Sequence, residues 1–318
     1  MNRILLVGAG FSNNWGGWLA REILGDLLAR LADDRDLSDL LNSSSNFEDA
    51  LSEVQLNYKV APSAATRGQL EKMQAAIHST FDAMNTAFAA RRGMEFTNQR
   101  EYFIRDYLGR FDAIFTLNQD LLFELHYNIE LAEPRRWAGH YFPGMQPPPG
   151  WHNAIGTFLR DRLDMVWHPM REFQIDRHGQ PIYKLHGSVN WKDNDDGALL
   201  VMGANKATTI TENRILHWYF DEFKRYLEMP ETRLMVIGYG FHDQHINELL
   251  YETWRRSQFR MFIVDPAGRA VMNIVTNLGF VIPNPLQKIQ IVGESMRRLE
   301  TTFNGDELEH GRFLRFFT

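Results

Sequence analysis

No cysteine occurs in the chain, which excludes disulfides, thiolate catalysis and cysteine-ligated zinc. Basic charge is not in excess either: 34 Lys and Arg stand against 40 Asp and Glu, a net charge of -6. That balance offers no general attraction to nucleic acid or to an anionic membrane, so neither partner is expected. Long apolar runs are missing as well. The N-terminal Ile4-Leu5-Leu6-Val7 stops at Gly8, far short of a signal-peptide core or of the roughly 20 apolar residues that a membrane span needs. A soluble, cytoplasmic protein is the expectation. No fixed-period repeat or low-complexity tract is visible. What the chain does have is apolar substance: 44% of its 318 residues are hydrophobic, ample for a sizeable core.

Ile4 to Val7 reads as a strand covered on both faces, and Gly8-Ala9-Gly10-Phe11-Ser12 follows it directly. Trp15, Trp18, Leu19, Ile23, Leu27 and Leu28 then recur at helical spacing, giving strand, glycine turn and helix. From about Asp33 to Arg110 the pattern is polar and alanine-rich, with helices expected around Phe47–Tyr58, Gly68–Arg91 and Asn98–Leu108 and no strand signal. Ser43-Ser44-Ser45-Asn46 supplies an N-cap for the helix opening at Phe47. Strands return at Phe111–Phe115, Pro181–Leu185, Leu234–Ile237 and Met261–Val264. Helical runs come after them at Leu121–Tyr127 and from Ile246. The alternation predicts an α/β fold: a Rossmann-like, doubly wound, mainly parallel sheet with a helical insertion. We read a single domain over 1–318, with a core of approximately 1–31, 111–130 and 180–292, a helical insertion at about 32–110, a loop-rich segment at 131–179 and a C-terminal extension at 293–318.

Each polar motif stands just after an apolar strand, and in a doubly wound sheet those ends open on one edge. Gly8-Ala9-Gly10-Phe11-Ser12 suits a phosphate-cradling turn, because glycines let backbone approach a pyrophosphate at a helix start. The bland alternative is an ordinary strand–helix turn. Asn13 stands where the dehydrogenase fingerprint has its third glycine, and Asp33, Asp34 and Asp36 end no recognisable strand, so hydride transfer is disfavoured. In Thr116-Leu117-Asn118-Gln119-Asp120, Asn118 could form a polar site or simply cap the next helix. His186 could be a general base or could merely satisfy backbone groups. His242 and His245, flanking Asp243, invite a metal reading, but with no clear third ligand none is assigned.

The ordered set Gly8-Ala9-Gly10-Phe11-Ser12, Thr116-Leu117-Asn118-Gln119-Asp120, Leu185-His186-Gly187, Gly238-Tyr239-Gly240-Phe241 and Asp265-Pro266 resembles the sirtuin superfamily. That resemblance implies NAD+ as a consumed substrate. It further implies that Asn118 orients the nicotinamide ribose and a water, that His186 is a general base on the ribose hydroxyls, and that Asp120 supports the site and, with Thr116, contributes to binding NAD+. Gly8, Ala9, Gly10, Phe11, Ser12, Gly238, Tyr239, Gly240 and Asp265 would then bind NAD+. Deacetylating sirtuins carry a four-cysteine zinc module, which this chain cannot build, so no zinc module and no metal are expected. Asn13 to Trp18 also lacks the proline, aspartate and arginine of the usual sirtuin cofactor loop. Gly238-Tyr239-Gly240-Phe241 with Asp243 and Ile246 is similar to the bacterial sirtuin-like branch of antiphage defence, whose members hydrolyse NAD+. The branch implies a toxic effector acting by NAD+ depletion in abortive infection. It also implies a homo-oligomer and a separate activating partner such as a HerA-type ATPase. Trp137–Trp151 and Phe313-Leu314-Arg315-Phe316-Phe317 are candidate contact surfaces, the latter equally readable as packing on its own domain. The alternatives are a zinc-free NAD-dependent protein deacylase and a non-catalytic NAD+ or ADP-ribose scaffold.

Overall fold

Ile4, Leu5, Leu6 and Val7 are completely buried, as a strand flanked by strands and covered on both faces must be. The computed structural model describes residues 1–151, 159–203, 206–275, 281–282 and 284–318. Around that first strand lies a seven-stranded sheet built of β1 (Arg3–Val7), β2 (Ala113–Thr116), β3 (Gly139–Tyr141), β4 (Gly179–Lys184), β5 (Arg233–Ile237), β6 (Arg260–Val264) and β7 (Ile291–Ser295), in the order β7-β6-β5-β1-β2-β4-β3. Every pairing in it is parallel. The doubly wound α/β expectation is thus met. Gly139–Tyr141 and Ile291–Ser295, which do not read as strands in the sequence, close its two edges.

The register of the sheet decides where its strands stop. Val7 lies opposite Thr116 on one side and Ile237 on the other, Thr116 opposite Lys184, and Ile237 opposite Val264. The strands therefore end level, and the residues just beyond them share one edge of the sheet. The order reverses between β1 and β5, which in such sheets opens a crevice beyond the strand ends.

Helices α1 (Ala9–Asn13) and α2 (Ala20–Arg30) come directly after β1. The single helix expected through Trp15 is broken. Gly16 adopts φ +91°, a left-handed conformation that interrupts a helix, and Trp15 instead turns into the core, donating from Nε1 to the Met94 carbonyl at 2.8 Å. Next come α3 (Arg35–Ser43), α4 (Phe47–Val60) and α5 (Ala64–Ala89). Asn46 caps α4 as its sequence predicts, with Oδ1 accepting from the Glu48 and Asp49 amides at 2.9 and 3.0 Å. The helix expected over Asn98–Leu108 is split into a short 3₁₀ turn, Arg100–Tyr102, and α6 (Ile104–Leu108).

Helices α7 (Leu122–His126), α8 (Lys206–Glu212), α9 (Arg214–Glu228), α10 (Gln244–Ser257), α11 (Leu299–Thr302) and α12 (Glu307–Leu314) complete the layers. α9 buries Ile215, Leu216, Tyr219, Phe223, Tyr226 and Leu227, spaced three and four apart. Its Phe223 meets Phe115 of β2 with ring centroids 4.5 Å apart. On the C-terminal run, Phe313 and Phe316 are buried and pack on Phe262 of β6, so their own sheet covers them. Trp151 is likewise buried, edge-on to Trp167 at 4.9 Å. No helix among the described residues is long and apolar enough to cross a membrane.

Candidate active site

The level strand ends open into a cavity of about 1040 Å³. Of the residues singled out from the sequence, Gly8, Ala9, Gly10, Asn118, Asp120, His186, Gly238, Tyr239, Gly240 and Asp265 line it. Phe11, Ser12 and Thr116 do not line it. They are buried directly behind the wall.

The glycine turn after β1 is shaped first by its neighbour. A Cβ on Gly8 would fall 2.7 Å from the Gly238 carbonyl oxygen, and one on Gly10 would fall 2.7 Å from the Gly238 Cα. Gly238 itself has φ +63°, and a Cβ there would sit 2.3 Å from the Gly10 backbone. Only glycine allows two strand-end turns to press together in this way. The Gly8, Gly10 and Phe11 amides donate to the carbonyls of Ile237, Gly238 and Gly8 at 3.0, 2.9 and 2.8 Å. Exposed Ala9, and not those three amides, is therefore the part of the turn turned outward.

Asn118 is oriented by the residues behind it. Its Nδ2 donates to the Gly8 carbonyl at 3.0 Å and to the Ser12 hydroxyl at 2.9 Å, while its amide donates to Thr116 Oγ1 at 3.0 Å. Both side-chain N–H groups are thus engaged, which assigns Oδ1 as the acceptor left for a ligand. The cap alternative fails for Asn118: it is Asp120 Oδ1 that accepts the Leu122 amide, at 3.0 Å, ahead of α7. Burial pushes the Asp120 carboxyl above its usual range, opposed by Lys184 and by the Ser12 hydroxyl.

Beneath this corner lies a buried ion pair that the motifs did not reveal. Lys184 Nζ donates to Glu124 Oε1, to the Asp120 carbonyl and to Ser188 Oγ, each at 2.6 Å, and both charged side chains are only 1% exposed. Burial raises the Glu124 carboxyl against the pull of Lys184. The available signal was a lysine inside the otherwise apolar run Pro181–Leu185.

His186 stands at the end of β4, buried, with its Nε2 2.9 Å from His245 Nε2 on the first turn of α10. On its other side the ring faces the Leu117 backbone, which favours the protonated form. Across the contact to His245 one neutral ring donates and the other accepts, as their tautomers decide. Burial depresses the His186 pKa to about 3, against the attraction of Asp243. Burial also lowers His245. Burial works against the Asp243 charge too, yet the imidazoles and the Lys206 ammonium hold that carboxyl below its usual range.

Donor atoms of His186, Asp243 and His245 lie within 4.8 Å of one another, a set that could ligate a cation. Lys206 already stands there. Its Nζ donates to Asp243 Oδ1 and to Glu48 Oε2, each at 2.6 Å, so positive charge is supplied by the chain itself. The pairing of His242 with His245 suggested by the sequence is broken up: His242 is exposed, and His245 turns to His186 instead. On the far side of the cavity, Asp265 Oδ1 accepts the Ala267 amide at 2.8 Å, and burial raises its pKa. The Tyr239 hydroxyl bonds the Asp243 carbonyl and Asn247 Oδ1 at 3.1 and 3.0 Å.

A family profile described as SIR2-like domain matches residues 112–276, just over half of the chain. No curated protein matches in sequence. Among solved structures, one of Sir2Tm bound to a propionylated peptide aligns at TM-score 0.42 and 10% identity, covering 98% of this chain and 93% of that one. One of SIR2 in complex with the inhibitor EX-527, 2'-O-acetyl-ADP-ribose and deacetylated p53 peptide aligns at TM-score 0.38 and 9% identity, covering 98% and 94%.

Proposed function

The chain belongs to the SIR2-like domain family, an NAD-dependent enzyme family, and from that premise we propose that it is an NAD+ glycohydrolase releasing nicotinamide and ADP-ribose. The observation that carries this reading is the convergence of Asn118 Oδ1, with both its amide hydrogens engaged, and His186 on one cavity at the sheet edge. At about 1040 Å³ the cavity is ample for a dinucleotide.

In the proposed reaction a water oxygen adds to C1' of the nicotinamide ribose as the C–N bond breaks, its electron pair leaving with nicotinamide. The water gives up a proton. Asn118 accepts from the water or a ribose hydroxyl and sets its line of approach, and His186 takes the proton before it passes to solvent. The reacting centre is cationic in the transition state, so oriented acceptors serve it better than a strong nucleophile. Ala9 and the Gly238 turn would border the pyrophosphate, with Asp265 towards the adenosine end and Tyr239 bonded beside Asp243.

The similarity of Gly238-Tyr239-Gly240-Phe241 to the antiphage branch supports a further reading: a toxic effector that depletes NAD+ in abortive infection, as a homo-oligomer switched by a separate partner such as a HerA-type ATPase. Nicotinamide release by the purified chain, alone and with the product of the adjacent gene, tests the hydrolase reading. Turnover that requires an acetylated peptide would favour a deacylase instead, and tight NAD+ binding without turnover would favour a scaffold.

A further inference from the structure

The contact between His186 and His245 extends the proposed chemistry, and the inference rests on that hydrolase reading. The two residues are 59 positions apart and meet Nε2 to Nε2 at 2.9 Å, with ring centroids 5.1 Å apart. His245 is held from several directions. It sits on the first turn of α10, its ring lies 5.8 Å from that of Phe220, and the neighbouring Asp243 is tied through Lys206 to Glu48 of α4 by two 2.6 Å bonds. The charged and titratable groups facing the pair are Asp243 and Lys206, with Glu248 beyond His245.

We propose that His245 is a positioning residue for His186: its ring N–H fixes the base in the Nδ1–H tautomer and keeps the Nε2 lone pair in place until water or a ribose hydroxyl takes over that bond. A general base acts only from the nitrogen that is free of its proton, and which nitrogen that is depends on the partner of the other one. An imidazole in the wrong tautomer cannot accept, and the roughly 10²–10⁴-fold contribution of proton transfer is forfeited. Here an N–H donated by His245 to Nε2 would leave the His186 proton on Nδ1. His245 reaches it from α10, a different element from the strand that His186 follows.

The test uses the whole protein labelled with ¹⁵N-histidine, with the His186 ring signals assigned by their loss in His186→Ala. Wild type should show a protonated Nδ1 and a hydrogen-bonded, unprotonated Nε2. His245→Ala should shift the Nε2 signal and lower kcat for nicotinamide release roughly tenfold or more, with KM unchanged. His245→Gln, which keeps an N–H donor, should restore both in large part. Identical His186 ring signals in wild type and His245→Ala would overturn the proposal, as would a kcat loss in His245→Gln equal to that in His245→Ala. A wild-type protein that releases no nicotinamide under any condition refutes the hydrolase reading, and the ring signals still decide the placement of His186 by His245.

Discussion

Replacing Lys184 by methionine probes the floor of the site. The ammonium makes three 2.6 Å bonds, to Glu124, the Asp120 carbonyl and Ser188, and it is 1% exposed, as is Glu124. Lys184→Met leaves the apolar stem in place but strands a buried carboxylate whose other oxygen, Oε2, already lacks a partner. Breaking a buried pair from one side costs about 3–5 kcal/mol, whereas replacing both members with apolar residues is often neutral. For a chain of this size ~2 °C of Tm is lost per kcal/mol, so the single variant should melt roughly 6–10 °C lower. Lys184→Met with Glu124→Leu should recover most of that loss. Both variants should lose turnover, because the Asp120 carbonyl is no longer anchored beneath Asn118. Thermal denaturation and urea unfolding at pH 7 give the comparison. The reasoning is refuted if the double variant melts as low as the single one, or if the single one melts within 2 °C of wild type.

The same geometry sets other outcomes. Asn118→Ala should fold with an unchanged Tm within about 2 °C and lose ~100-fold or more in nicotinamide release; a smaller loss would remove Asn118 from the chemistry. Gly238→Ala puts a Cβ 2.3 Å from the Gly10 and Phe11 backbone at φ +63°. It should cost more than about 2 kcal/mol in urea unfolding, and a near-neutral effect would contradict the packed-turn account. For pH the sign is fixed by the depressed His186 pKa of about 3 against an ordinary 6.5. The unfolded chain binds the proton first, so this group's stability is fully present above about pH 6.5 and declines as pH falls towards 3, by at most about 1.4 kcal/mol per pH unit. His186→Gln should accordingly flatten the fall of Tm between pH 6.5 and 4, whereas an unchanged slope would show that His186 is not buried neutral.

The parts of the fold that the residues announce are those with both faces covered. Ile4–Val7, Leu234–Ile237 and Met261–Val264 are unbroken apolar runs because parallel central strands meet helices above and below. The sheet edges are silent for the same reason. Gly139–Tyr141 is half-buried and three residues long, and Ile291–Ser295 carries Gly293 and Glu294. The periodicity from Trp15 to Leu28 pointed to one helix because it does not register what Gly16 does to the backbone.

At the site, the motif residues were legible since each comes after a strand and the strands end level. Their partners were not. His245 reaches His186, and Lys206 of α8 links Glu48 of α4 to Asp243 just ahead of α10, across separations that the sequence does not announce. Sequence spacing instead paired His245 with His242, three residues away, which on the structure is exposed at the cavity lining while His245 meets His186. Lys184 sat in plain view inside a strand, but a lone lysine gives no hint of its acceptor 60 residues earlier in Glu124.

The central claim is tested most directly by the products formed from NAD+. Purified chain, with the adjacent gene's product added where needed, should convert NAD+ to nicotinamide and ADP-ribose in equal amounts, without any acylated peptide, and Asn118→Ala of equal stability should not. Equal turnover in that variant, or NAD+ left intact under every condition while remaining bound, would contradict the account.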